Sequence, residues 1–476
     1  MHVLFDARLL HRPLSGLERV QRNLIRELSE RSEIARLRVL VESGTVLPAE
    51  FPSKAEVVEV GSTEDILGVL LPEDPGERPD VYHLSWFPDD SPRDLLLLPA
   101  AKAAVVEVHD AILNRHPEYF PSKERWRWYH GFVKHLVARA DRLLVHSRSV
   151  ASEVENDLDG DRQKCDIAPL AVDPCLLDNV SDSIVDEVLA RHGISGPYFV
   201  SLGKDYPHKD HATLFRAVAR LNSEAEVVIA GDKIWHEGRD TDSLLQKLQL
   251  TARVRFLRGL SDDEVKALLQ GSKGLVYPSL EEGFGLPPIE AMLRGVPVAA
   301  AGCMSIPEVC GDAAWLFDAG DDQALAGLLE KMLAGGPEVD DLVRRGTARA
   351  RGFSWSRCAE QALSCYQHAI AAAAENPARA VGMVELLENI AQYPAEQSPE
   401  FDSWQAQYLE IEQHARAVEG NRDDILRQLQ ELQARVGDPV TPAPEPMERV
   451  RPRWSLRRRI RKIRDGLLGG SGSAPQ

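Results

Sequence analysis

Glu282 and Glu290 lie eight residues apart, with Gly283, Gly285, Pro287 and Pro288 between them. A carboxylate accepts several hydrogen bonds and suits a vicinal diol, either a ribose or a sugar ring. Glycines let main-chain amides come close to a ligand. A helix opening at Pro287 and Pro288 leaves unpaired N–H groups at the positive end of its dipole, which favours a phosphate. Carboxylates for hydroxyls and amides for phosphate together read as a nucleotide-sugar site. A plainer reading stands beside it on spacing alone: Glu282 as a solvated loop residue, Glu290 as a complement to the helix dipole. Lys204 and Lys209, five apart in SLGKDYPHKD after Gly203, have the charge and spacing to clamp a diphosphate and stabilise a departing nucleotide. The same lysines also fit a solvated turn. In EVHDAIL (107–113) His109 falls at a strand's end, where a lone histidine is more often packed or solvated than catalytic.

These residues need elements to hold them. Short runs rich in Val, Ile and Leu alternate with amphipathic helical patterns, which marks βαβ units around a parallel sheet buried on both faces. HVLFDA, AAVVEVHDA and DRLLVHS are strands of the first half. PYFVSLG (197–203), AEVVIAG (225–231), VRFLRG (254–259), GLVYPS (274–279) and VPVAAAG (296–302) are strands of the second. The predicted fold class is α/β, with two Rossmann-like domains at 1–178 and 190–350 and a closing helix at 351–376. The loop after GLVYPS then falls at the carboxyl edge of a parallel sheet, where ligands bind in open α/β folds. Residues 377–438 read as a helical extension, with a heptad stripe from Trp404 to Val436 that fits either a dimeric coiled coil or packing on the chain's own helices. A proline-rich spacer follows at 439–448, then a basic tail at 449–476.

The bulk properties limit the function classes. The formal charge of −18 opposes nucleic-acid binding, but it is unevenly spread. Residues 448–465 hold nine Lys or Arg against two acids, +7, which leaves −25 elsewhere. In that tail Leu456, Ile460, Ile463 and Leu467 can share one helical face, as an amphipathic helix on an anionic membrane would; a solvated charge run is the other reading. No apolar run is long enough to cross a bilayer and the first residues read as a strand rather than a signal, so the expected location is cytoplasmic, with peripheral attachment to the inner face of the plasma membrane through 449–468. The six cysteines match neither a zinc pattern nor a disulfide framework and read as free thiols. Asp240-Thr241-Asp242 has the D-x-D form of a metal site, and DLDGD (157–161) has part of a calcium loop, with Arg162 and Ala168 where that loop needs glycine and glutamate. Neither is assigned a metal.

The stretch from Ser279 to Val298, SLEEGFGLPPIEAMLRGVPV, resembles the E-x7-E signature and flanks of retaining glycosyltransferases of the GT-B fold, glycosyltransferase family 4. The resemblance implies that Glu290 holds the ribose, and that Glu282 with the amides of Phe284, Gly285 and Leu286 lies near the donor sugar and diphosphate. It makes Gly203, Lys204 and Lys209 a diphosphate clamp and His109 a contact of the donor sugar. RPLSGLERV resembles the family's glycine loop after the first strand, with Gly16 near the diphosphate or acceptor and Glu18 where many relatives have a second glycine. The implied reaction moves a sugar from a nucleoside diphosphate to a hydroxyl acceptor with retention, the departing phosphate taking the acceptor's proton, with no metal cofactor. DARLLHRPLSG resembles mannosyltransferases of bacterial surface polysaccharides, which points to GDP-mannose and a saccharide or lipid-linked acceptor. Two rivals remain: a glycoside hydrolase using the two glutamates as acid and nucleophile, and an inactive GT-B scaffold.

Overall fold

The computed structural model describes residues 1–11, 16–48, 50–72, 74–85, 97–231 and 240–375. The heptad stripe, the proline-rich spacer and the basic tail lie outside the described residues. Two parallel sheets carry the chain. The first contains β1 (His2–Asp6), β2 (Arg36–Glu42), β3 (Ala55–Val60), β4 (Val81–Leu84), β5 (Ala104–Val108), β6 (Arg142–Val145) and β7 (Cys165–Ile167), in the order β3-β2-β1-β4-β5-β6-β7. The second contains β8 (Tyr198–Leu202), β9 (Glu226–Ala230), β10 (Val254–Leu257), β11 (Gly274–Tyr277), β12 (Val298–Ala301) and β13 (Trp315–Phe317), in the order β10-β9-β8-β11-β12-β13.

All five strands expected in the second half form where the apolar runs place them. Their central members are buried along their whole length, as a strand covered by helices on both faces must be. β13 adds a sixth, only three residues long, too short for a periodic signal. Strand order reverses beside β1 in the first sheet and beside β8 in the second, so β8 and β11 diverge into helices on opposite faces. The crevice at their carboxyl ends is the place such folds reserve for ligands, and both the lysine motif and the Glu282 loop open there.

The helix Trp355–Glu375 packs against β4, β5, β6 and β7, so the end of the described chain returns to the first sheet. Trp355 Nε1 donates to the Val172 carbonyl at 3.0 Å, and Tyr366 is fully buried against His83. All six cysteines are free thiols. Asp240 is the N-cap of the helix Thr241–Lys247, its carboxylate accepting from Ser243 N, so the D-x-D triplet is a helix start.

Candidate active site

β11 ends at Tyr277, and the loop that follows runs into the helix Leu286–Leu293. Gly285 caps that helix in the left-handed region, φ +92, where a Cβ would be strained. Gly283 has a different reason. A Cβ on it would collide with the main-chain carbonyl of His109, so the loop of the second half rests directly on the strand end of the first. The sequence reads both glycines as room for a ligand, whereas the room at Gly283 is filled by His109. The Ser147 hydroxyl donates to Gly283 O at 2.8 Å, and the Ser305 hydroxyl lies 2.8 and 3.0 Å from the Glu282 and Phe284 carbonyls. Ser305 carried no signal in the sequence, and Ser147 reads there only as the start of a helix, which it caps.

Glu282 is nearly buried, and Lys209 Nζ donates to its Oε1 at 2.5 Å. Burial alone would lift the Glu282 carboxyl, but the adjacent Lys209 ammonium, with the Tyr277 and Ser279 hydroxyls, more than offsets it and holds the group below the usual carboxylate range. Asp110 faces the same pair and is pushed up, by burial first and then by the Glu282 charge. The two lysines that the sequence groups as a clamp have different surroundings. Lys209 is half-buried under Glu282, with Gly203 against its stem, whereas Lys204 is exposed and has no ion pair among the described residues.

Phe284 is buried edge-to-face on Phe353, so its side chain anchors the loop. Leu286 opens the helix, whose first N–H groups have no intrahelical partner. Glu290, one turn in, is pushed up by burial, with Arg294 and then Arg19 acting against it. Arg19 belongs to the helix Gly16–Ser29 of the first half, and its guanidinium reaches Asp262 at 2.5 Å and Asp173 at 3.4 Å. Gly16 begins that helix, exposed, with open space where a Cβ would stand. Glu18 is buried in its first turn rather than lining an open loop.

A second bridge spans the halves. Arg115 Nη2 and His116 Nε2 lie 2.7 and 2.9 Å from the Glu281 carboxylate, and the Tyr119 hydroxyl is 2.9 Å from His208 Nδ1. Arg115 also reaches Asp157 and Glu153, and Glu153 Oε1 is buried without a partner. Burial wins there and raises the Glu153 carboxyl to about 7, with Arg115 acting against it. A carboxyl raised above its value of 4.5 adds stability that is full below that value and is lost as pH climbs through about 7. Glu153→Gln should therefore gain about 2–4 °C in Tm over the unaltered protein at about pH 8, with no gain near pH 4, read by thermal melts.

Residues 189–349 match the family model described as glycosyl transferases group 1. This segment belongs to the group 1 glycosyl transferases. The group 1 segment contains every candidate residue of the second half, from Gly203 to Glu290. Among relatives, the chain is 31% identical over 281 residues to an MMP alpha-(1->4)-mannosyltransferase of Mycolicibacterium hassiacum, covering 56% of this chain and 66% of the relative. It is 29% identical to the O-antigen chain mannosyltransferase B of Escherichia coli, covering 56% of this chain and 70% of that protein. Against an Escherichia coli serotype-specific mannosyltransferase WbdA, at 26% identity, it spans 63% of itself and only 38% of the relative. Among solved structures, Anabaena Alr3699/HepE in complex with UDP-glucose superposes with a TM-score of 0.60 at 19% identity, covering 76% of this chain and 98% of that one. WaaG, a glycosyltransferase involved in lipopolysaccharide biosynthesis, gives 0.56 at 16%, covering 76% and 98%. The fold is GT-B, as the two parallel sheets and the returning helix require.

Proposed function

We propose that this chain moves a hexose from a nucleoside diphosphate to a hydroxyl acceptor with retention of configuration. The first donor to test is GDP-mannose, and the acceptor is a saccharide or lipid-linked intermediate of surface polysaccharide synthesis. The observation that carries this reading is the seating of the Glu282–Gly285 loop on His109, with Lys209 beneath it, at the reversal of strand order. An ammonium and a helix start converge where a diphosphate would leave, while His109 and Asp110 come from the opposite wall.

In this reading the diphosphate meets Lys209, Lys204, Gly203 and the amides of Phe284, Gly285 and Leu286. Charge that builds on the leaving phosphate is stabilised by groups already aimed at it. Glu290 takes the ribose hydroxyls, with Arg19 behind it, and Gly16 faces the diphosphate or acceptor. Contacts between the halves keep water from the activated carbon. The mannosyltransferase relatives support the sugar. The family match and the lysine pair favour transfer over hydrolysis, since a glycosidase has no diphosphate to hold.

Incubation with a panel of nucleotide sugars, with and without acceptor, tests the reading: nucleoside diphosphate should be released from one donor and accelerated by acceptor, and the product anomer read by NMR should match the donor. Free sugar released without any nucleotide donor would point to the hydrolase instead. Glu290→Ala should raise the donor KM by at least about 100-fold with a smaller change in kcat, because two charge-assisted hydrogen bonds to ribose are lost in ground and transition state alike.

No helix of the described residues is long and apolar enough to cross a membrane. The basic segment 449–468 supports docking on an anionic surface. Deleting 449–476 should abolish co-flotation with vesicles containing about 30% anionic lipid, since each basic residue near the surface contributes about 1 kcal/mol. The stripe at 404–436 supports a homodimer, to be read by sedimentation.

A further inference from the structure

Behind His109 lies a buried cluster that the proposed reaction does not use. His83 of β4, Glu107 of β5 and His146 just past β6 are almost or wholly buried. His146 Nδ1 is 2.9 Å from the Ala168 carbonyl, and His109 Nε2 is 3.1 Å from the Ser85 carbonyl. A carbonyl only accepts, so both of those ring nitrogens carry hydrogen. The other two nitrogens, His146 Nε2 and His109 Nδ1, face each other at 3.1 Å, and His146 Nε2 is also 3.1 Å from Glu107 Oε1. If both rings were neutral, two lone pairs and a carboxylate oxygen would converge with no hydrogen among them, away from water, at high cost. One proton on His146 Nε2 removes the conflict. It is donated to His109 Nδ1, while Glu107 Oε1, which lies off the axis of a directed hydrogen bond, supplies the opposing charge.

We propose that Glu107 and His146 are positioning residues, a buried carboxylate and imidazolium that fix His109 as its Nε2–H tautomer with Nδ1 already occupied. His109 then cannot accept a proton as a base, and the one hydrogen it has to offer a sugar hydroxyl is the Nε2–H that rests on the Ser85 carbonyl at 3.1 Å, which it must share or release. This rests on the reading of the cleft as a nucleotide-sugar site. The pair is neutral as a whole, so it places no net positive charge behind a carbon that itself becomes positive. Burial holds His109 down to about 4, which keeps the ring neutral at working pH. Two further neighbours are held in their neutral forms. Burial raises the Cys358 thiol and the Tyr366 phenol on the helix Trp355–Glu375, and the Tyr366 hydroxyl sits 2.7 Å from His83 Nδ1. His83 Nε2 is 3.4 Å from Glu107 Oε2 and braces the carboxylate from its far side.

One atom from each of Glu107, His109 and His146 lies within 4.8 Å of the others, so a metal ion could take the proton's place. Nitrogen NMR of the histidine-labelled full chain distinguishes the two. The proposal expects His146 with hydrogen on both nitrogens, His109 with hydrogen on Nε2 alone, and no stoichiometric metal by elemental analysis. A singly protonated His146, or one divalent metal per chain that disappears in His146→Asn, would overturn it. Glu107→Gln keeps the shape and removes the charge, so the His109 signal should become a tautomer mixture and kcat should fall about 10–100-fold, with the donor KM moving less than about threefold. An unchanged tautomer and an unchanged kcat would also overturn it. If no nucleotide sugar is turned over, the functional reading fails while the NMR result still decides the tautomer, and if the variant does not fold, the spectrum of the unaltered chain decides alone.

Discussion

Lys209→Ala is expected to lower kcat by about 10²–10³-fold, the loss seen when one preorganised group facing developing negative charge is removed. The site gives a second reason for a large effect. Lys209 is the cation that keeps the nearly buried Glu282 ionised, at 2.5 Å. Without it burial pushes the Glu282 carboxyl upward against the Tyr277 and Ser279 hydroxyls, and the pocket is driven toward losing two charges at once. Activity of the variant should then rise with pH, as Glu282 is forced to ionise again, whereas the unaltered protein should be insensitive to this group above the ordinary carboxylate range. Lys209→Arg restores charge but not shape, because a planar fork cannot occupy the slot of a compact ammonium, and should recover only part of the rate. Steady-state kinetics of both variants across pH, at saturating donor, checks the set. A Lys209→Ala protein within about threefold of normal kcat would remove the leaving-group role from this residue.

Gly283→Ala should be nearly as damaging for a wholly steric reason. The added methyl would occupy the position of the His109 carbonyl, and both sides of that contact are main chain, so no side-chain rotation can make room. The two halves must move apart, which breaks the Ser147 hydrogen bond to Gly283 O and draws Glu282 away from Asp110 and His109. We expect activity to fall at least about 100-fold, in line with the cost of misplacing catalytic groups by an ångström. The strand pairing within each sheet is untouched, so far-ultraviolet circular dichroism should be unchanged, while the radius of gyration from X-ray scattering should increase. Gly285→Ala separates the two explanations for glycine here. Its penalty is a left-handed backbone strain of about 1 kcal/mol together with a clash against the Ile306 side chain, which can yield, so a milder loss is expected.

The fold could be read in the sequence because parallel strands covered on both faces leave uninterrupted apolar runs, and PYFVSLG, AEVVIAG and GLVYPS are such runs. The loop could be read because Glu282, the two glycines, the two prolines and Glu290 are neighbours along the chain, and so are Gly203, Lys204 and Lys209. What stayed hidden pairs across distance. Arg115 finds Glu281 166 residues later, Lys209 finds Glu282 after 73, and His146 meets His109 after 37. No local period records such partners. Glu107 illustrates the limit. Within AAVVEVHDA it is a single charge in an apolar run with no partner in sight, and in the fold it is fully buried and flanked by His83 and His146. Asp110 stood in plain view beside His109, and only the approach of the second half set it against the like charge of Glu282.

The polypeptide passes between the two sheets twice, once through the segment after β7 and again just before Trp355, and the indole of Trp355 ties the two passages together at the Val172 carbonyl. Two stapled threads behave as a door on a pair of pins: they permit swinging about the line that joins them and resist sliding or twisting across it. Any opening of the halves would therefore follow one path, and its reversal would return Gly283 to the same seat.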